Sequence, residues 1–363
     1  MYKFDDIKEV HIELSSNCQA GCPMCARNFH GGIENPLIKV NDINLEFFKK
    51  FASIQFLQQL KTISLCGNFG DPILNQELIP IVEYITKSNP SIRVDLHTNG
   101  SARNSDWWER LAKALPPYHI VHFAIDGLED THRLYRIGTD WHKIIENATA
   151  FINAGGNAQW VFITFKHNEH QLEDCRRLAK ELKFDSFLEK QTARFIGKPQ
   201  FDVLDKDRNV THQLERPSEQ KLIFIDRKTV ENYKDIFKNA TVKCEVEKSE
   251  NVYVDANGYV WPCCFVGAVQ SVYSELDQMV YNFQQDSRKS LIDLVDRFGG
   301  IEQFSLKERS FQEIIDSIEW QTVWDDSFKH NPLPICVRTC GKFAEPIISQ
   351  SKDQFLKLDE FNE

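Results

Sequence analysis

The stretch Glu13-Leu-Ser-Ser-Asn-Cys-Gln-Ala-Gly-Cys-Pro-Met-Cys-Ala-Arg27 places Cys18, Cys22 and Cys25 directly behind a short apolar run, Val10–Leu14. Gaps of three and then two residues let these thiolates wrap one compact metal centre. Thiolates hold iron–sulfur clusters, and a cubane contains four irons. Three local ligands leave one iron open to a substrate or cofactor. A closed four-cysteine site, by contrast, mainly transfers electrons or stabilises structure. A zinc knuckle and three buried thiols are the competing readings. Zinc wants a fourth ligand, and neither His11 nor His30 stands at a common finger spacing.

Working outward from this stretch, residues 9 to about 191 alternate short apolar β-branched runs with longer helical segments. The strands are expected at Val10–Leu14, Thr62–Cys66, Ile92–His97, Ile120–Ile125, Trp160–Phe165 and Ser186–Glu189. Their near-continuous apolar character suits parallel strands buried on both faces. Helices are expected over Asn44–Leu60, Asn75–Ser88, Ser105–Leu115, Trp141–Asn153 and His170–Leu182. Ser105 reads as a capping residue with Asp106 in the first turn, and Pro116-Pro117 stops that helix. Gly155-Gly156 suits a left-handed cap. Six strand–helix units predict an α/β fold, a partial (β/α)6 TIM-like barrel with right-handed crossovers. Reactive sites of such barrels lie at the carboxyl ends of the strands, where the three cysteines fall.

The bulk properties narrow the class. A chain of 363 residues, 42% hydrophobic and 12% aromatic, has the length and composition of a soluble globular protein with room for a second, smaller domain. A net charge of −10 and a pI near 5.6 argue against a nucleic-acid partner. No apolar stretch is long enough to span a bilayer, and Met1-Tyr-Lys-Phe-Asp-Asp lacks a signal-peptide core. Ten cysteines without an export signal read as metal ligands in a cytoplasmic protein.

The cysteine spacing, its place after the first strand and the motifs that follow resemble the radical S-adenosylmethionine (SAM) superfamily. That resemblance implies a [4Fe–4S] cluster on Cys18, Cys22 and Cys25 whose open iron binds the amino and carboxylate groups of SAM. Reductive cleavage of SAM then gives a 5′-deoxyadenosyl radical that abstracts hydrogen from the substrate. Leu65-Cys66-Gly67-Asn68-Phe69-Gly70-Asp71-Pro72 resembles the family's Gly-Gly-Glu-Pro stretch, with aspartate in place of glutamate. Gly67 and Gly70 would let the backbone approach the methionine end of SAM. His97-Thr98-Asn99-Gly100 resembles the Thr-Asn-Gly ending of the third strand. Ala124-Ile125-Asp126-Gly127 resembles a Ser-Ile-Asp-Gly stretch with alanine for serine. By this resemblance the SAM contacts are Met24, Gly67, Gly70, Asp71, Thr98, Asn99 and Asp126. Bland readings stand beside them: strand-ending turns for most, turn capping for Asp126, and solvated loop positions for Lys166 and His167.

Lys198–Gln220 is polar, carries Pro199 and Pro217, and shows no sustained period. It reads as part of a linker or substrate-side segment, 196–240, between a barrel over 1–195 and a C-terminal unit over 241–363. In that unit Asp255–Gly258 signals a hairpin turn that would bring Cys244 and Cys263 together, with Cys336 and Cys340 further on. The Cys244–Gly258–Cys263 spacing resembles the opening of the SPASM and Twitch auxiliary-cluster domains. This implies one auxiliary [4Fe–4S] cluster on Cys244, Cys263, Cys336 and Cys340, with Cys264 a spare or rival ligand. Four thiolates also suit a structural zinc ion. The unit is expected to be small and α+β, with the helical stretches Ile301–Phe304 and Phe311–Trp320 as a cover. Cys66 and Cys175 read as packing residues.

The expected activity is radical oxidation, epimerisation or cross-linking of a peptide or small-molecule substrate, with electrons from a donor such as flavodoxin or ferredoxin. No catalytic hydrogen donor is identified. The barrel begins almost at Met1, which argues against a built-in leader-peptide module. A non-catalytic iron–sulfur or zinc protein, acting as redox sensor or scaffold, is the reading from another class.

Overall fold

The computed structural model describes residues 1–195, 198–219, 241–271, 278–342 and 355–361. Six strands form in chain order: β1 (Glu9–Ile12), β2 (Thr62–Leu65), β3 (Arg93–Thr98), β4 (His119–Ala124), β5 (Ala158–Ile163) and β6 (Ser186–Lys190). Each pairs in parallel with the next. Helices alternate with them: α1 (Leu45–Phe51), α2 (Ile54–Gln59), α3 (Leu78–Ser88), α4 (Ser105–Ala114), α5 (Glu129–Tyr135), α6 (Trp141–Asn153) and α7 (Leu172–Glu181). The result is the partial (β/α)6 barrel that the strand pattern implies.

The helix expected over Asn44–Leu60 is two helices. Ser53 leaves the helical conformation and its hydroxyl accepts the Phe56 amide at 3.2 Å, starting α2 afresh. Asn104, rather than Ser105, caps α4 by accepting the Trp107 amide at 3.1 Å. Gly155, at φ +92°, closes α6 in the left-handed conformation expected of it.

Residues 198–219 depart from the structureless segment that their polarity suggests. They form an antiparallel hairpin of β7 (Gln200–Leu204) and β8 (Val210–Glu215). Asp205 builds its turn by accepting the amides of Asp207 and Asn209 at 2.8 and 2.9 Å. Residues 220–240 of the expected linker lie outside the described residues.

The C-terminal third completes the sheet at both edges. The hairpin of β9 (Asn251–Val254) and β10 (Val260–Trp261) sets β9 parallel to β1, and β11 (Phe355–Glu360) runs antiparallel to β6. The nine strands lie in the order β10-β9-β1-β2-β3-β4-β5-β6-β11. Helices α8 (Cys264–Ala268), α9 (Gln278–Asp296), α10 (Phe311–Asp316), α11 (Ile318–Lys329) and α12 (Pro334–Cys340) follow the hairpin. The single helix expected over Phe311–Trp320 breaks where Ser317 caps α11 by accepting the Trp320 amide at 3.1 Å. Phe311 packs its ring against Phe56 of α2, with centroids 5.0 Å apart, so this part does act as a cover. One apolar core runs from Val10, Ile63 and Val121 through Val252 and Trp261 to Trp320 and Trp324. Among the described residues no helix is long and apolar enough to cross a membrane.

Candidate metal and cofactor site

Cys18, Cys22 and Cys25 lie on the loop that leaves the carboxyl end of β1. The loop is tied down by its own residues: Asn28 donates to the Ala20 carbonyl at 3.1 Å, and the Gly21 amide donates to the Ile137 carbonyl at 2.7 Å. A second apolar cluster, including Met24, Tyr135, Phe165 and Phe195, packs around it, and Cys22 is buried. Two side-chain donors reach the sulfurs, Asn99 from the end of β3 and Arg136 from the end of α5. Asn99 Nδ2 lies 3.7 Å from Cys18 Sγ, and Arg136 Nη1 lies 3.8 Å from Cys22 Sγ. Burial pushes the Cys18 thiol well above its ordinary range, helped by the nearby Asp71, Cys22 and Cys25. Burial likewise moves Cys22 up to about 11, against the pull of Arg136. A positive metal centre is what would turn such thiols into thiolates.

The residues suit an iron–sulfur cluster: three cysteines lie on one loop, and two of their sulfurs have N–H groups of Asn99 and Arg136 directed at them. Among the described residues no three His, Cys, Asp or Glu side chains close on a one-ion site. Zinc draws its sulfurs to about 2.3 Å from one point, whereas a cube spreads its thiolates over separate irons, and N–H groups directed at sulfur tune such clusters.

The expected SAM contacts gather around the same loop, but most of their polar atoms hold one another. Asp71 Oδ2 accepts from Thr98 Oγ1 at 3.1 Å, the Asn99 amide at 2.7 Å and Asn99 Nδ2 at 2.6 Å. Burial still lifts this carboxyl to about 6 despite those donors. Asp71 therefore locks the ends of β2 and β3 together and aims Asn99 at Cys18. Asp126 is fully buried and pairs with Arg136 at 2.6 Å, while its other oxygen accepts the Ile163 amide at 2.6 Å. That carboxylate holds Arg136 beside Cys22. Gly70 is required by the chain itself, because a Cβ there would stand 1.8 Å from the Ser15 carbonyl oxygen. At Gly67 a Cβ would meet the Gly70 carbonyl oxygen at 2.3 Å. Lys166 pairs with Glu169 at 2.8 Å, as a solvated loop residue would.

Glu13 is a central residue that the sequence does not mark. Its Oε1 accepts the amides of Phe69 and Gly70 at 2.8 and 3.0 Å, and Oε2 accepts the Tyr253 hydroxyl at 2.8 Å. Asn68 adds donors to Tyr253 Oη and to the Cys264 carbonyl at 3.0 and 2.9 Å. The loop after β2 is thus fastened to β9 and α8. Burial pushes the Glu13 carboxyl up to about 7. The native chain then keeps its proton between about pH 4.5 and 7, where the unfolded chain has lost it, so stability falls as pH rises through that window. Thermal melts should show the parent losing ground to Glu13→Gln between about pH 5 and 8. A pH-independent difference would remove Glu13 from this linkage.

The four cysteines expected to hold an auxiliary cluster also come together. Thr241–Val242 pairs with Gly341–Lys342, and the Lys243 amide donates to the Cys340 carbonyl at 3.1 Å, which brings Cys244 beside α12. The β9–β10 hairpin delivers Cys263. Cys336 is pushed up by burial and then by Cys263, Cys244 and Cys340, all of which are close to it. Cys264, next to Cys263 in the chain, has different surroundings: burial raises its thiol most, and then Cys66.

Known proteins agree with this architecture. The model of the radical SAM superfamily matches residues 12–184. The structure is similar to that of Streptococcus suis SuiB bound to precursor peptide SuiA, at 13% identity, over 92% of this chain and 72% of that one, with a TM-score of 0.51. It is also similar to native anSMEcpe with bound AdoMet and Cp18Cys peptide, at 15% identity, over 92% and 88%, with a TM-score of 0.50. Against SuiB bound to S-adenosylmethionine the match is 15% identical over 71% of this chain, with a TM-score of 0.47, and spans 60% of that protein's length. No curated protein matches the chain in sequence.

Proposed function

Residues 12–184 form a radical SAM domain, and on that premise we propose that the chain is an enzyme holding its [4Fe–4S] cluster on Cys18, Cys22 and Cys25. The cluster and SAM together supply a 5′-deoxyadenosyl radical that takes hydrogen from an unactivated carbon of a peptide or small molecule. The observation that carries this reading is the placing of Asn99 and Arg136 N–H groups against two of the three sulfurs at the barrel mouth. The protein's own work is to hold those donors. Asp71 fixes Asn99, Asp126 fixes Arg136, and the apolar wall of Tyr135, Phe165 and Phe195 keeps water from the loop. Anaerobic reconstitution with iron and sulfide, followed by dithionite and SAM, should yield 5′-deoxyadenosine. A reconstituted chain that yields none is not a SAM-cleaving enzyme.

Cys244, Cys263, Cys336 and Cys340 hold a second cluster in this reading, which makes the C-terminal third a SPASM- or Twitch-like unit. Cys264 is left out of the ligand set because its surroundings are Cys66 and Glu13. Oxidation of substrate carbon is the reaction class favoured, since a second cluster next to the barrel can accept an electron. Cys336→Ala should then lower bound iron by about four per chain and lower the melting temperature, because the site ties α12 to the segment at Cys244. Unchanged iron in that variant would exclude Cys336 as a ligand.

A further inference from the structure

A cavity of about 320 Å³ opens between the cysteine loop and α8, α9 and α12, with Cys25 and Met24 on its wall. Arg194 and Arg338 both border it, from the barrel side and from α12 respectively. Arg194 donates to the Met24 carbonyl at 2.9 Å, and Arg338 lies over the Phe283 ring at 5.7 Å. Among the described residues neither guanidinium forms an ion pair with a carboxylate, although both border the same space. Two cations facing one space repel, and the repulsion grows as water is excluded.

Two further groups on the wall point to a ligand. Ser287 of α9 is 3% exposed, and among the described residues its hydroxyl has no hydrogen-bond partner; nor, among those residues, has the Gln284 side-chain oxygen one turn earlier. Buried polar atoms are nearly always satisfied, so unsatisfied ones beside a cavity mark positions that a bound molecule completes. The rest of the wall is mixed: Phe195 and Phe265 face the space, Asn68 and Lys198 border it, and so does Asp202, whose carboxylate accepts from Gln213 at 2.7 Å.

We propose that this cavity is the substrate pocket and that it takes a substrate oxyanion, carboxylate or phosphate, between Arg194 and Arg338, with an apolar body against Phe195 and Phe265. The proposal rests on the reading of Cys18, Cys22 and Cys25 as the radical-generating centre, because Cys25 forms part of the same wall. A planar guanidinium matches either oxyanion with two parallel hydrogen bonds. The anion cancels the repulsion between the arginines, and Ser287 gains an acceptor for its hydroxyl. The volume is at the small end for ligand sites, enough for a compact acid or a single acidic side chain.

The test is calorimetric titration of the full, anaerobically reconstituted, SAM-loaded chain with N-acetylphenylalanine, its neutral amide and phenyl phosphate. The acid or the phosphate should bind at least about tenfold tighter than the amide, and the tighter of the two anions identifies the group the site is built for. Arg338→Gln and Arg194→Gln should each bring the anion preference to near unity, while Arg338→Lys should keep part of it. Arg194→Gln, remote from the auxiliary cysteines in sequence, serves should Arg338→Gln fail to fold. Equal binding of acid and amide by the parent, no anion binding, or a preference unchanged in Arg194→Gln would overturn the proposal. Formation of 5′-deoxyadenosine by the parent is measured separately. A chain that prefers anions but cleaves no SAM refutes the cluster reading, and one that cleaves SAM without anion preference refutes only the pocket.

Discussion

Replacing Cys18, Cys22 and Cys25 together by alanine is expected to abolish 5′-deoxyadenosine formation while leaving about four irons bound per chain. The three sulfurs stand together on the loop that leaves the carboxyl end of β1, and Asn99 and Arg136 direct their N–H groups at two of them. Without them the open iron that would bind SAM has no support. The residual iron should come from Cys244, Cys263, Cys336 and Cys340, which assemble from elements that do not depend on the loop. Metal analysis beside product analysis separates the two sites. Turnover at the parent rate would take the loop out of the chemistry, and zinc in place of residual iron would make the C-terminal site a structural zinc centre.

Gly70→Val is expected to destabilise the chain by more than about 4 kcal/mol or to prevent folding altogether. The new Cβ would lie 1.8 Å from the Ser15 carbonyl oxygen, 2.5 Å from its carbon and 2.7 Å from Ser16 Cα. All three are backbone atoms of the segment between β1 and the cysteine loop, so no side-chain rotation relieves the clash. Moving that segment would also strip Glu13 of its bond from the Gly70 amide. Thermal melting and iron content should fall together. A variant melting within a few degrees of the parent would show that the two loops can separate freely.

That glycine illustrates what was legible in the sequence and what was not. The resemblance marks the position, yet the crowding at Gly70 comes from Ser15, a neighbour brought in by the β1–β2 pairing. The parallel strands were readable because each is a short apolar run, and their ends shift by no more than about two residues from expectation. The 200–215 hairpin was missed because Pro199, Pro217 and many charges outweighed a weak alternation of Phe201, Val203 and Leu214. The Asp205 turn signal was there to be read. Glu13 and Arg136 were unreadable for another reason. Glu13 acts from the end of β1 on Tyr253 and Arg136 from the end of α5 on Cys22, and no local spacing records a contact across 240 or 114 positions.

The parallel pairing of β1 with β9 also sets a schedule. Their paired residues, Glu9 and Asn251, stand 242 positions apart. A ribosome adding roughly 5–20 residues per second leaves β1 waiting about 10 to 50 s for that neighbour. Throughout that interval the outer edge of the first strand carries unmatched amide and carbonyl groups, the kind of edge on which nascent chains pair with one another. The cysteine loop that follows β1 emerges early as well, long before Tyr253 arrives to fasten Glu13. In the proposed reading, cluster delivery to the loop and closure of the sheet are therefore separate events in the life of a newly made chain, and slow synthesis lengthens the time between them.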